Sequence, residues 1–329
     1  MMKLNKMMYA AFAAVVAVLC VVGLSACSGT SNSSNTAAND SQSSNESQKV
    51  QVVASFYPMA DFAQKIGGEH VEVTNLCPAG TEPHEWEPSP SDVKTIEGAD
   101  VFVYNGADME GWVSDTLASS NLRGTVVCAS DGINLRLADH SHDADGADAG
   151  EHAGKHDPHV WLAPENAKKE AENIKDALVK ADPDNASEYE ANYTKWAGEF
   201  DSLEKEFSEQ LSQTSGKTIV VSHEAFGYLC DAYGLTQEPI TGMDAEGEPD
   251  AKAMAEIVQF VRDHNVKVIF SEDLVSPKVA QQIADETSAS CEVLNPVEGL
   301  EQDELDAGED YFSVMRDNLK ELVSALNQQ

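Results

Sequence analysis

The chain has 329 residues, 42% of them hydrophobic, with 57 acidic against 21 basic side chains and a formal net charge of −36. The length suits about two packed domains. The charge excludes a nucleic-acid partner, whose phosphates call for a basic face, and fits a soluble surface that attracts cations.

The chain opens as a processing signal. Lys3 and Lys6 precede the apolar run "MMYAAFAAVVAVLCVVGL", and small residues follow in "LSAC". "LSAC" resembles the bacterial lipobox, which makes residues 1–27 a lipoprotein signal peptide and Cys27 the lipidation site; several acyl chains together anchor a protein stably. Residues 28–48, polar and nearly free of apolar side chains, read as a disordered tether. Four cysteines remain in the body: Cys77, Cys128, Cys230 and Cys291. Export permits disulfides, and both bridged and free thiols stay open, because spacing alone cannot choose a pairing.

The body alternates strand and helix. Val50 to Ser55 reads as a buried strand and Pro58 to Ile66 as a helix stopped by Gly67 and Gly68. "VEVTNLCP", "DVFVYNG" and "TVVCAS" read as strands, and "SPSDVKTIEGA" as a helix. From Ser187 to Gln213 one stripe runs through Tyr189, Tyr193, Trp196, Phe200, Leu203, Phe207 and Leu211 at steps of three and four, predicting one long helix. The alternation then resumes: strand, loop and helix over "KTIVVSHEAFGYLCDAYG", helices over "PDAKAMAEIVQFVRDHN" and "SPKVAQQIADETS", strands over "VKVIFSED" and "CEVLNPVEG", and a closing helix over "YFSVMRDNLKELVSALN". The expected fold is α/β: two parallel-sheet lobes, residues 49–183 and 215–329, joined by a rigid linker helix within 184–214.

Nine histidines occur, and five of them (His140, His142, His152, His156 and His159) crowd into Asp139 to Leu162 among six acidic residues. Three histidines, one of them at the end of that segment, and one acid stand in loops just past a strand or next to turn residues: His84 in "CPAGTEPHEWEPSP", His159 in "HDPHVWL", His223 in "IVVSHEAFGY" and Glu298 in "VLNPVEG". Open α/β sheets bind ligands beyond the carboxyl ends of their strands. Three imidazoles and a carboxylate close a four-coordinate shell, which holds a metal rather than leaving a position for an activated water. Glu272 in "SEDLVSPK" and Glu224 are alternatives for the fourth ligand. A zinc hydrolase using the same histidines competes as an enzyme reading, but HExxH, GxSxG and P-loop motifs are all missing from the sequence.

Taken together, "SFYPMADFAQKIGG", "PAGTEPHEWEPSP", "DPHVWL", "VVSHEAFGYL" and "LNPVEG" resemble the zinc- and manganese-binding solute-binding lipoproteins of bacterial ABC importers, cluster A-I. The resemblance spans about Val50 to Asn327. It implies one metal in an interlobe cleft, held by His84, His159, His223 and Glu298. It also implies a membrane permease and its ATPase as partners, and a monomer anchored by lipid to the outer face of the cell membrane, as in Gram-positive envelopes. Three nitrogens favour Zn²⁺ as the captured ion over Mn²⁺. The histidine-rich segment 139–157 matches an insert common in zinc-type relatives, and His140, His142, His152 and His156 are expected to bind metal loosely. A metal-dependent surface adhesin is the alternative role the resemblance allows.

Overall fold

The computed structural model describes residues 49–138 and 155–329. The expected signal segment with Cys27, the tether, and His140, His142 and His152 lie outside the described residues. The first lobe runs β1 (Val50–Ala54), α1 (Tyr57–Gly67), β2 (Val71–Asn75), α2 (Pro90–Glu97), β3 (Val101–Tyr104), α3 (Val113–Ser119), β4 (Thr125–Cys128) and α4 (Pro164–Ala181). After α5 (Ala186–Leu211) come β5 (Thr218–Val221), α6 (Gly227–Tyr233), β6 (Thr236–Pro239), α7 (Ala251–Asp263), β7 (Val268–Ser271), α8 (Lys278–Thr287), β8 (Ser290–Val293), α9 (Gln302–Ala307) and α10 (Tyr311–Leu326).

Each lobe holds one four-stranded parallel sheet, in the orders β2-β1-β3-β4 and β6-β5-β7-β8. The two orders are the same pattern, with the second strand of each lobe moved outside the first. The order reverses between the first and third strands, which is where open α/β sheets leave a crevice at their carboxyl edge. The central strands are apolar on both faces, Val101, Phe102 and Val103 as fully as Val268, Ile269 and Phe270, as strands covered by helices on both sides must be.

Helix α5 is the expected long connector, two residues shorter at its end than the stripe predicts. Its stripe is buried at Tyr189, Phe200, Leu203, Phe207 and Leu211. It packs on α1 and α4 of the first lobe and on α6 and α10 of the second. At 26 residues it spans about 39 Å.

Four elements escape the sequence reading. β6 is polar ("TQEP") because it is an edge strand, paired only with β5, and an edge tolerates Pro239 at its end. α4 is rich in Lys and Glu, and its buried face is built mostly from small residues (Ala167, Ala171, Ile174, Ala177 and Leu178), so its apolar signal is weak. α3 and α9 are too short for a period to register. The cysteine question resolves to thiols: Cys77, Cys128, Cys230 and Cys291 are all free.

The lobes share one apolar mass where α1, α5 and α10 meet. Phe200 lies against Phe62, Tyr311 and Phe312 at ring-centroid distances of 5.5, 5.7 and 4.8 Å. Phe200→Ala should remove about 3–5 kcal/mol of stability, read as a shift of the denaturant midpoint at unchanged slope. A loss under about 1 kcal/mol would mean that α5 does not couple the lobes through this cluster.

Candidate metal centre

Four loops deliver the four singled-out side chains to one point. His84 comes from the β2–α2 loop, His159 from the approach to α4, His223 directly from the end of β5, and Glu298 from beyond β8. His84 Nε2 lies 3.2 Å from His159 Nε2 and 3.3 Å from Glu298 Oε1. His223 Nε2 lies 3.1 Å from His159 Nε2 and 3.2 Å from Glu298 Oε1, and His159 Nε2 lies 3.0 Å from the same oxygen. His159, His223 and Glu298 are 0–2% exposed, whereas the His84 side chain is 13% exposed and marks the side facing water.

Acids beside the histidines show how the loops hold them in place. Glu82-Pro83-His84 and Asp157-Pro158-His159 repeat one pattern, acid, proline, histidine. In both, the acid two residues ahead accepts the histidine's backbone N–H, at 3.0 Å from Glu82 Oε1 and at 3.0 Å from Asp157 Oδ1. Asp157 Oδ1 also faces His159 Nδ1 at 2.8 Å. In the second lobe Glu272 does both jobs from the end of β7: it accepts the His223 backbone N–H at 3.2 Å and faces His223 Nδ1 at 2.8 and 2.9 Å. Glu272, an alternative fourth ligand in the sequence reading, therefore stands behind His223 rather than beside it. Glu224, the other alternative, is buried but does not join the convergent group. A carboxylate can only accept, so it fixes the proton on Nδ1 and turns the Nε2 lone pair toward the centre.

Glu298 is aimed by strained backbone. Val297 has φ 57°, a left-handed conformation rare for a β-branched residue. It is held there by its own N–H donating to Asn295 Oδ1 at 2.7 Å and by complete burial of its side chain. The next loop is tied across the cleft, with Gly80 N–H donating to the Leu300 carbonyl at 3.0 Å. Trp161 packs beneath, 5.4 Å from the His159 ring, and its Nε1–H donates to the Pro296 carbonyl at 2.8 Å. Trp86 is only half-buried and stacks edge-on with Trp112 instead.

The centre is electron-rich. Three lone pairs and a carboxylate share a volume the size of one ion, and only a cation or added protons can stabilise them there. Burial opposes charging His159 and His223, but carboxylate partners overturn it: Asp157 and Glu298 raise His159, and Glu272 and Glu298 raise His223 well above the usual imidazole range. Burial likewise opposes the Glu298 carboxylate, yet His223 and His84 hold it well below the usual carboxylate range.

Of the remaining histidine-rich segment, His156 is described. Its Nδ1 lies 2.9 Å from Asp108 Oδ2, away from the centre. A second cluster of Glu69, His70 and Glu188 lies on the surface, with His70 Nε2 2.6 Å from Glu188 Oε2. The residues that sequence reasoning missed are Asp157 and Glu82. The repeated acid-Pro-His pattern is the signal that finds them.

The family model described as "ZnuA: Zinc-uptake complex component A periplasmic" matches residues 52–325. The "High-affinity zinc uptake system protein ZnuA" of Bacillus subtilis is 40% identical over 280 residues, 84% of this chain and 88% of that protein. The "Zinc-binding protein AdcA" of Streptococcus pyogenes is 40% identical over 83% of this chain, which spans only 55% of that longer protein. Among solved structures, the "Zn(II)-bound ZnuA-like domain of Streptococcus pneumoniae AdcA" superposes with a TM-score of 0.73 at 36% identity, covering 85% of this chain and 99% of that one. The laminin-binding protein Lmb of Streptococcus agalactiae, described as "a bifunctional protein with adhesin and metal transporting activity", gives 0.75 at 33% identity, covering 85% and 100%.

The site predicts how pH acts on the metal-free fold. Raised imidazoles mean that the folded state holds protons the unfolded chain has released, so their stabilisation is complete below the unfolded value of about 6.5 and is lost as pH rises through the folded values. The depressed Glu298 contributes above the unfolded carboxylate value of about 4.3 and loses its contribution as pH falls through the folded one. Thermal melts of chelator-treated protein should show a lower Tm at pH 8.5 than at pH 6, with added divalent metal restoring more at pH 8.5. A Tm that rises from pH 6 to 8.5 would contradict the electrostatics of the cluster.

Proposed function

Because the chain belongs to the zinc-uptake complex component A family, we propose that it captures one Zn²⁺ outside the cell between His84, His159, His223 and Glu298, and passes it to an ABC permease for import. The observation that carries this is the spacing of the four inward atoms. Bonds of about 2.0–2.1 Å in a tetrahedral shell place ligand atoms about 3.3 Å apart, and five of the six separations among these atoms are 3.0–3.3 Å.

The donor set supports zinc as cargo. Three imidazole nitrogens with one carboxylate oxygen suit Zn²⁺ by softness and place Mn²⁺ far down the affinity order. Four protein ligands leave no open position for a water nucleophile, which supports a carrier rather than a hydrolase. The buried carboxylates behind His159 and His223 raise ligand basicity and hold the rings in register. The long α5, packed along both lobes, supports small closing movements in place of wide hinge opening. Release then depends on the permease drawing the lobes apart. The lipid at Cys27, the tether over residues 28–48 and the linker helix between lobes 49–183 and 215–329 complete the reading, with the protein acting as a monomer held near its permease. The histidines of segment 139–157 serve as a loose collecting site for the same ion.

Elemental analysis of the protein purified without chelator tests this directly. One zinc per chain is expected, retained after deletion of residues 139–155. His84→Ala should weaken the metal more than about 100-fold, since even the loss of a supporting partner costs 10–100-fold. Zinc that survives His84→Ala but vanishes with the deletion would place the site in the histidine-rich segment. Manganese in place of zinc would overturn the specificity.

A further inference from the structure

Asp157, the carboxylate behind His159, does not stand alone. Its free oxygen, Oδ2, lies 3.0 Å from Arg136 Nε, and Arg136 Nη1 reaches across to Asp231 Oδ2 at 2.8 Å. Arg136 and Asp157 belong to the first lobe. They are joined there by an antiparallel bridge at Leu137 and His156, with Asp157 N–H donating to the Arg136 carbonyl at 3.0 Å. Asp231 sits on α6 of the second lobe. Tyr228, also on α6, binds both arms of this clasp: its hydroxyl donates to the Asp157 carbonyl at 2.9 Å and accepts the Arg136 backbone N–H at 3.0 Å. The fit is close enough to exclude a side chain. A Cβ on Gly227 would fall 2.5 Å from Asp157 Oδ2 and 2.6 Å from the Arg136 guanidinium.

We infer that the Arg136–Asp157 clasp seated on α6 is an interlobe latch that sets how slowly the metal leaves, with Tyr228 and Arg136 as positioning residues for His159. The inference rests on the metal-capture reading. Separating the lobes here moves Asp157, and with it the His159 ring, so α6 must let go before that ligand can. The legs differ in weight. Tyr228 is buried and joins two backbone segments at once, whereas Asp231 is 69% exposed and its ion pair is screened by water.

The test uses the full chain loaded with one equivalent of Zn²⁺ and mixed with excess 4-(2-pyridylazo)resorcinol in stopped flow. Tyr228→Phe keeps the ring and deletes both hydrogen bonds. It should speed zinc transfer by up to about thirtyfold, given about 1 kcal/mol for each of the two bonds. Arg136→Lys, which keeps the charge but cannot fork to both carboxylates, should speed it severalfold, and Asp231→Asn by about twofold or less. Stoichiometry stays at one zinc throughout. A purely structural role would lower the melting temperature of the metal-free variants and leave the transfer rate alone. If Tyr228→Phe and Arg136→Lys both transfer within twofold of the native rate, the latch is wrong while metal capture stands. If the native chain holds no zinc to transfer, metal capture fails and the latch falls with it.

Discussion

One carboxylate oxygen, Glu298 Oε1, sits within 3.3 Å of three imidazole nitrogens drawn from two lobes. Every other arrangement near the cleft follows from making that convergence tolerable. Groups this rich in lone pairs repel one another, and burial removes the water that would screen them. The fold answers with a second ring of carboxylates that fixes tautomers, with a left-handed Val297 that aims the acid, and with a cross-cleft hydrogen bond from Gly80 that brings two loops together. What remains unbalanced is the central charge, and that imbalance is the affinity for a cation.

The two lobes solve the same positional problem with different local chemistry. In the first, an acid two residues before each histidine accepts its backbone N–H, so sequence-local turns set the ring. In the second, Glu272 reaches His223 from a neighbouring strand, 49 residues away. The first solution keeps its geometry as long as the loop does. The second depends on the β5–β7 pairing and so ties the site to the integrity of the sheet.

This contrast explains what the sequence made legible. The four candidate ligands stand out because each is a histidine or acid in a loop past an apolar strand or beside turn residues, and because the alternation of strand and helix says where the strand ends face. The long helix is visible from the uninterrupted stripe between Tyr189 and Leu211. Glu272 stayed open as an alternative because proximity to a strand end cannot tell a residue that points into the cleft from one that points at a histidine's far nitrogen. β6 and α4 were missed for opposite reasons: an edge strand has no need of an apolar sequence, and a helix that buries alanines carries too little hydrophobic contrast. Arg136 and Tyr228 were invisible because their meaning lies wholly in a contact between lobes.

The four body cysteines carry a further consequence. All four are unpaired, Cys77 and Cys230 are buried, and burial pushes the Cys77 thiol up to about 12, so these two offer little thiolate either to oxidants or to soft metal ions. Among the described residues, cohesion comes from apolar packing and from the cleft's own charges rather than from covalent cross-links. The described body therefore has no disulfide to form as it folds. The buried thiols of Cys77 and Cys230, kept protonated inside the lobes, do not compete with the cleft for the ion.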